Sequence, residues 1–580
     1  MSPEEQCIKS GIGDFIINAD LTYEEVSAAI NSSKLGKAYL EVPNEALKNN
    51  QAKKLLHKFY SICFQYGLSP CDWNFCDIKP VEKKGKDSRI PLNNRPISIL
   101  CCISKNYSSI LNSRIQKHLS ANNLLVDEQN GFRATRSCMD HLFTLISILR
   151  NRKMQGKATF LCFVDYKLAF DSVNRNLLFH KLSKFGISGR MYKAISALYR
   201  DPQARVILND FPTDYFQCTI GTKQGDCLSP TLFSIFVNDL SEELSRSGVG
   251  IVIGDNDSTD STNSTNSTDT TDSTEVVNNL LYADDLICMA ECEEDLQKLI
   301  DIVHNWGLKW RLEVNLLKTN VMHVRPTKKK LSSFKFQLGN KSIEYCSKYK
   351  YLGTYLNEFL NFNKMSNEMQ DSASRALGAI VCKMKKCGGF PLNTYKLLVE
   401  SCVYSISDYC MEVFGFEQHS APNTIHMRAL RNFLGVKKTA PSNGVKAEMR
   451  WLEPQSRAHI KMVRFFLHLR SLPDSRLTKR VFLQDLRTSQ SGSVECWSSE
   501  IKEILNKCGL EHYYSNIGSD KDILKTVSDS LLKCDTSNFF NSCLSSPKLH
   551  TYVNITDFTQ ENVYLYKPLT LSQKSSLAKF

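Results

Sequence analysis

LLYADDLICMA, residues 280–290, sets two short apolar runs on either side of Ala283-Asp284-Asp285. Strand-length apolar runs around a tight polar step read as a β-hairpin whose turn presents acidic side chains. Upstream, FLCFV (160–164) is a continuous apolar run that ends on Asp165. A strand apolar at every position is covered on both faces, so the Asp165 carboxylate leaves a dry, rigid edge. Each feature alone has an ordinary reading. Asp165 caps the element that follows, and Asp284-Asp285 are residues that turns favour. Together they acquire chemistry. Two strands of one sheet bring the carboxylates side by side, where each raises the pKa of the others and a divalent cation relieves them. Oxygen ligands without His or Cys suit Mg²⁺, with Mn²⁺ possible. Two such ions, about 3.5–4 Å apart, form the clamp used for in-line phosphoryl transfer.

The surrounding chain alternates between strand-like and helical patterns. GDNDSTDSTNSTNSTDTTDSTE (254–275) contains no apolar residue and reads as a disordered insert. Apolar runs flank it, so it sits at the tip of a turn between two paired strands, where insertions are cheap. Residues 22–70 read helical. Residues 73–100, punctuated by Pro80, Gly85, Pro91 and Pro96, read as strands and loops. Ser229-Pro230 before Leu232, Phe233, Phe236, Val237 and Leu240 reads as a capped helix start with an apolar face. From 362 to 480 the pattern is helical again, and beyond 485 it is less periodic. Strands in the middle and helices at both ends predict an α+β fold.

Composition narrows the class. The chain has 580 residues, 42% hydrophobic and 23% charged, so it can bury several cores. Lys plus Arg exceeds Asp plus Glu by 73 − 60 = 13, which points to an anionic partner. No apolar run approaches the roughly 18–20 residues of a membrane span, so no membrane is expected. The N-terminus, MSPEEQCIKS, is polar and acidic, unlike a secretory signal. The 21 cysteines then read as reduced thiols in an intracellular compartment, and their spacing predicts no structural zinc.

FVDYKLAFDSV (163–173), GTKQGDCLSPTLF (221–233) and LLYADDL (280–286) resemble motifs A, B and C of reverse transcriptases, in the family's order. The wording is that of the non-LTR (LINE-type) retrotransposon branch. IKPVEKKGK (78–86) with NNRPISIL (93–100) resembles its fingers segment, and QNGFRATRSCMD (129–140) the entry to the helix before motif A. LEVNLLKTNVMHV (312–324) resembles motif D, KYKYLGTYL (348–356) motif E, and LGKAYLEVPNEALK (35–48) the N-terminal extension. The resemblance implies a right-hand polymerase: an N-terminal helical extension (1–72), fingers and palm (73–357), a helical thumb (358–480) and a C-terminal region of unknown role (481–580).

What the resemblance implies for the site follows residue by residue. Asp165 and Asp284 hold both metals, Asp285 is the accessory carboxylate, and the Tyr166 carbonyl is a further ligand. Phe170 lies beneath the nucleotide sugar, where its ring excludes a ribose 2′-hydroxyl. Gln224 and Gly225 approach the incoming nucleotide and template base. Lys83 and Arg95 neutralise the triphosphate, with Lys84 and Lys86 beside Lys83 as alternatives. Lys318 protonates the leaving pyrophosphate. Lys328–Lys330, Lys383, Lys385, Lys386, Lys437 and Lys438 are basic patches suited to a duplex backbone. The partners implied are an RNA template, a DNA primer or target and dNTPs, and the compartment implied is the nucleus. Departures are Leu168 at a commonly charged position and Cys138 where Thr is usual. The chain opens almost on the polymerase extension, so no upstream endonuclease is expected, which fits a fragment or decayed copy. Two alternatives accompany this reading. One is a catalytically inactive nucleic-acid-binding retrotransposon remnant. The other is an RNA-templated RNA polymerase, against which Phe170 argues.

Overall fold

The run Thr159–Val164 is a strand with all six residues buried, and the molecule is built around it. The structure, a computed structural model, describes residues 17–36, 38–39, 42–83, 85–254, 275–417, 419–490, 496–515, 520–555, 563–567 and 569–578. Helices α1 (Tyr23–Ser32) and α2 (Asn50–Tyr66) precede a strand pair, β1 (Phe75–Glu82) and β2 (Asn94–Ile99). Helices α3 (Cys102–Ala121) and α4 (Cys138–Met154) lead into the central strand, β3 (Thr159–Val164). Next come α5 (Arg175–Lys184), α6 (Gly189–Leu198), β4 (Gln203–Leu208) and β5 (Phe211–Pro212). Helix α7 (Ser229–Ser245) is followed by β6 (Ile251–Ile253), β7 (Glu275–Val277), β8 (Asn279–Tyr282) and β9 (Asp285–Ala290). Then come α8 (Glu293–Trp310), β10 (Asn320–Val324) and β11 (Glu344–Tyr345). The remainder is mainly helical, including α9 (Gln370–Lys386), α10 (Ser420–Leu434), α11 (Pro454–Ser471), α12 (Leu477–Gln490) and α13 (Trp497–Lys507).

The central sheet runs β8-β9-β3-β10-β11. Strands β9 and β10 flank β3 antiparallel, with Leu286 opposite Val164 and Asn320 opposite Phe163. Successive side chains of a strand face opposite ways. Phe160, Cys162 and Val164 enter one core, with Tyr107 of α3, Phe236 of α7 and Trp306 of α8. Leu161 and Phe163 enter a second, with Phe143 of α4, Phe465 of α11, Phe482 of α12 and Trp497 of α13. Two covered faces explain why residues 160–164 carry no polar side chain. Leu161→Ala, at a position of zero exposure, is expected to destabilise the protein by about 2–5 kcal/mol in denaturant unfolding.

A second sheet, β2-β1-β4-β5, stands beside the first, with β1 and β4 parallel and β1 and β2 antiparallel. Strands β6 and β7 pair antiparallel, Ile253 opposite Glu275. The insert therefore departs from a strand pair, as its apolar flanks predict, while residues 255–274 themselves lie outside the described residues. Ser229 is not the helix cap expected of it. Leu228 is already helical at φ −78° and ψ −35°, so Ser229 is the first helical residue and its hydroxyl donates to the Lys223 carbonyl at 2.8 Å. A third core joins α9 and α10 through Leu377, Tyr395 and Phe433. Lys383, Lys385 and Lys386 lie in the last turn of α9. Lys438 shares a surface cavity with Arg428 and Arg431 of α10. Among the described residues, no helix is long and apolar enough to cross a membrane.

Candidate active site

Strands β8 and β9 form a tight hairpin in which Tyr282 pairs with Asp285, leaving Ala283 and Asp284 as the turn. Ala283 takes φ +61°, the left-handed step that so short a connection requires. The turn is clamped from behind. The Gln129 side-chain oxygen accepts from the amides of Ala283 at 3.0 Å and Gly131 at 2.8 Å. The Leu281 amide donates to the Glu128 carbonyl at 3.0 Å, and the Asn130 amide to the Leu281 carbonyl at 2.9 Å. Residues 128–131 thus run along the free edge of β8. Gln129 is fully buried, so its oxygen has no water to compete with these two amides.

Asp165 stands one residue past β3, and the segment 313–319 grips it. The Asn315 amide donates to the Asp165 carbonyl at 2.7 Å, and Asn315 Nδ2 to Asp165 Oδ2 at 2.9 Å. Lys318 Nζ donates to both carboxylate oxygens at 3.2 Å. The Asp165 amide donates to Thr319 Oγ1 at 3.2 Å. Tyr166 bridges Val314 while hydrogen bonds run from its neighbours, Asp165 and Lys167, to Asn315 and Glu313. In that antiparallel pattern the Tyr166 carbonyl points to the other side of the strand, where the β8–β9 turn lies.

The register places Asp165 across from Asp285, because the last pair before them is Val164 with Leu286. The carboxylates feel one another. Burial pushes the Asp285 carboxyl up to about 6, with Asp284 and Asp165 adding to the shift and Lys318 opposing it. The Asp284 carboxyl is also raised, first by burial and then by Asp165. Its own backbone hydrogen bond, Lys318 and Arg95 oppose the rise. Such a set of buried oxygen donors, only partly offset by Lys318 and Arg95, fits a hard divalent cation. The side chains do not already converge: among the described residues no three acidic, His or Cys groups gather around one point. Asp165 is drawn instead towards Lys318 and Asn315.

The other expected residues surround this centre. Arg95 is exposed on β2, opposite Val81, and its charge reaches Asp284. Lys83 donates from Nζ to the Leu92 carbonyl at 2.7 Å, and its charge reaches Asp171. Lys84 lies outside the described residues, and Lys86 is exposed. Phe170 stacks on Phe233 of α7, with ring centroids 4.3 Å apart, and meets the edge of Phe132 at 6.1 Å. Gln224 donates from its side-chain nitrogen to both carboxylate oxygens of Asp171, at 2.9 and 2.8 Å. Gly225 has φ +119°, and a Cβ there would stand 2.6 Å from the Ser98 carbonyl oxygen, so only glycine lets this loop close against β2.

Four further residues hold the site without having been singled out by sequence. Asn315 and Thr319 steady Asp165, Gln129 steadies the turn, and Asp171 anchors Gln224. Asp171 had a visible signal, a second acid six places after Asp165. The amides and the threonine had none, because their partners lie far along the chain.

The chain is similar in sequence to known proteins. Residues 81–356 match the family described as reverse transcriptase (RNA-dependent DNA polymerase). The chain is 23% identical over 438 residues to the RNA-directed DNA polymerase from mobile element jockey of Drosophila melanogaster, covering 72% of this chain and 44% of that protein. It is 25% identical over 319 residues to the retrovirus-related Pol polyprotein from type-1 retrotransposable element R2 of Nasonia vitripennis, covering 53% of this chain and 29% of that one. The chain thus spans less than half the length of these curated relatives. Among solved structures, apo telomerase from Candida tropicalis aligns over 83% of this chain and 74% of its own, at 12% identity and a TM-score of 0.37. The matched domain and these relatives make the chain a homologue, at family level, of the reverse transcriptases of non-LTR retrotransposons.

Proposed function

We propose that the chain is an RNA-directed DNA polymerase that extends a primer 3′-hydroxyl on an RNA template with dNTPs. The observation that carries this reading is the register that sets Asp165 across from Asp285, with Asp284 in the adjoining turn. These carboxylates, with the Tyr166 carbonyl, would hold two Mg²⁺ ions, with Mn²⁺ able to substitute. Bound there, the ions supply Lewis acidity that lowers the pKa of the attacking hydroxyl and offsets charge on the leaving group. Everything else falls to the protein. Arg95 and Lys83 take the triphosphate oxygens, the guanidinium as a fork and the ammonium as a point charge. Gln224 and Gly225, locked between Asp171 and Ser98, shape the floor under the nascent pair. Lys318 pairs with Asp165 at rest, and in this reading its Nζ gives a proton to pyrophosphate. Chromosomal target DNA would place the working protein in the nucleus.

The test is primer extension by purified protein on poly(rA)/oligo(dT) with dTTP and Mg²⁺. Incorporation is the expected result. Binding without incorporation would instead favour a remnant that only binds nucleic acid. Phe170 gives a sharper check. Its ring is pinned by the Phe233 stack, so it cannot swing away from a 2′-hydroxyl. Phe170→Ala should lower discrimination between dTTP and UTP by at least about tenfold in kcat/KM, the scale of removing one steric contact of about 1.4 kcal/mol or more. An unchanged ratio would reduce Phe170 to a packing residue.

A further inference from the structure

Phe132, whose ring meets Phe170, also walls a half-open cavity of about 170 Å³ between α3, α7 and the loop 132–136. Its charged lining consists of Arg133, Arg136 and Arg476, and among the described residues no acidic side chain faces it. The guanidiniums differ in how they are compensated. Arg136 pairs with Asp127, and Arg476 reaches Asp140 at 3.3 Å. Among the described residues Arg133 makes no ion pair, and it donates to the carbonyls of Val126, at 2.6 Å, and Gln129, at 3.2 Å. Arg476 is 7% exposed, yet its Nε has no hydrogen-bond partner. Burial, with the charges of Arg136 and Arg476 close by, brings the Arg133 guanidinium down to about 10, against the opposing charges of Asp127 and Glu128. The loop is strained as well. Phe132 and Thr135 sit at φ +57° and +60°, where a bulky or β-branched residue is an outlier and persists only when its surroundings hold it there. Arg476 Nη1 donates to the Thr135 carbonyl at 3.0 Å and so helps to hold the strained loop, but this leaves the Arg476 Nε and the Arg133 charge unanswered. An oxyanion in the cavity would satisfy both.

We infer that this cavity binds a backbone phosphate of the template strand. The inference rests on the polymerase reading of the neighbouring carboxylates. Planar guanidinium forks match phosphate oxygens, and Thr231 and Ser234 add hydroxyls from the wall formed by α7. The position selects the strand. The primer end and the nucleotide phosphates belong at Asp165, Asp284, Asp285 and Arg95. Phe132 lines the cavity and its ring meets Phe170, the residue assigned to the nucleotide sugar, while Phe233, which stacks on Phe170, lies on α7 between Thr231 and Ser234. A strand that reaches past the two rings is the one paired opposite the primer.

The test needs no turnover. Affinity for a labelled RNA–DNA primer–template is measured over a salt series, for the wild type and for Arg133→Ala. Loss of one charge-assisted phosphate contact should raise Kd roughly tenfold. It should also lower the slope of log K against log salt by about one. Single neutral methylphosphonate linkages walked along the template should weaken wild-type binding at one position, and do nothing further there in Arg133→Ala. Ser120→Glu, exposed on the rim of the cavity, introduces an anion without touching the Arg133 contacts and should reproduce the loss if Arg133→Ala fails to fold. Unchanged affinity and slope in the folded variants would overturn the site. A methylphosphonate effect confined to the primer, or a raised KM for dTTP with duplex binding intact, would overturn the strand assignment. A wild type that binds primer–template through this cavity but extends nothing would leave the site standing and remove the polymerase reading. A wild type that binds no primer–template would remove both.

Discussion

Asp284→Asn is expected to lower primer extension by about 10²–10³-fold or more while primer–template affinity stays within roughly threefold. Asp284 occupies the second position of the two-residue turn, so its carboxylate projects from the most tightly held point of the hairpin. Asparagine keeps the shape and removes the charge. A lost anionic ligand withdraws several kcal/mol of transition-state stabilisation, which is the size of the expected defect. Stability should move the other way. The Asp284 carboxyl is raised in the folded protein, so folding disfavours its ionised form, and near neutral pH an amide escapes that penalty. The variant should therefore melt no lower than the wild type. Inactivity with preserved or increased melting temperature separates lost chemistry from lost structure. Full activity would remove Asp284 from the site.

Much of this arrangement could be read before any coordinates, for a local reason. The run 160–164 is apolar at every position because both faces of β3 are covered, and LLYADDLICMA alternates run, turn and run within eleven residues. Such signals depend on neighbours in sequence. The supports do not. Gln129 reaches Ala283 across 154 positions, and Asn315 reaches Asp165 across 150. Each lies in a segment that resembles a family motif, but nothing in the chain marks its bond to so distant a partner. Gln224 was legible as part of a nucleotide-binding loop, but its bond to Asp171 was not, because that bond depends on how the loop folds back over α5's approach. Ser229 misled for a related reason. A Ser-Pro step usually opens a helix from outside, whereas here the preceding loop already enters Leu228 in helical geometry and turns the hydroxyl inward to Lys223. The helical pattern between 450 and 480 was legible, whereas the less periodic stretch beyond 485, which forms α13, was not. Nor was the sharing of a core between these helices and Leu161 and Phe163, since an apolar stripe declares that it is buried but not against what.

Gly131→Ala should be nearly as damaging as loss of a carboxylate, without touching one. A Cβ at Gly131 would stand 2.2 Å from the Ala283 nitrogen and 2.9 Å from the Tyr282 carbonyl carbon. Both are backbone atoms, so no side chain can rotate aside, and either the hairpin or the 128–131 segment must retreat. Retreat stretches the paired hydrogen bonds of Gln129, whose burial leaves no water to replace them. The turn that moves is the one carrying Asp284. A displacement of about 1 Å at a reacting centre can cost on the order of 10²-fold in rate. The expected result is a fall in kcat of at least about that size. Gly378→Ala is the matched control. Its Cβ would meet nothing within 4 Å inside α9, so activity should hold and stability should rise by about 0.5–1 kcal/mol from helix propensity alone. If Gly131→Ala kept full kcat, the clamp behind the turn would be incidental packing, and the placement of Asp284 would have to depend on β9 and β3 alone.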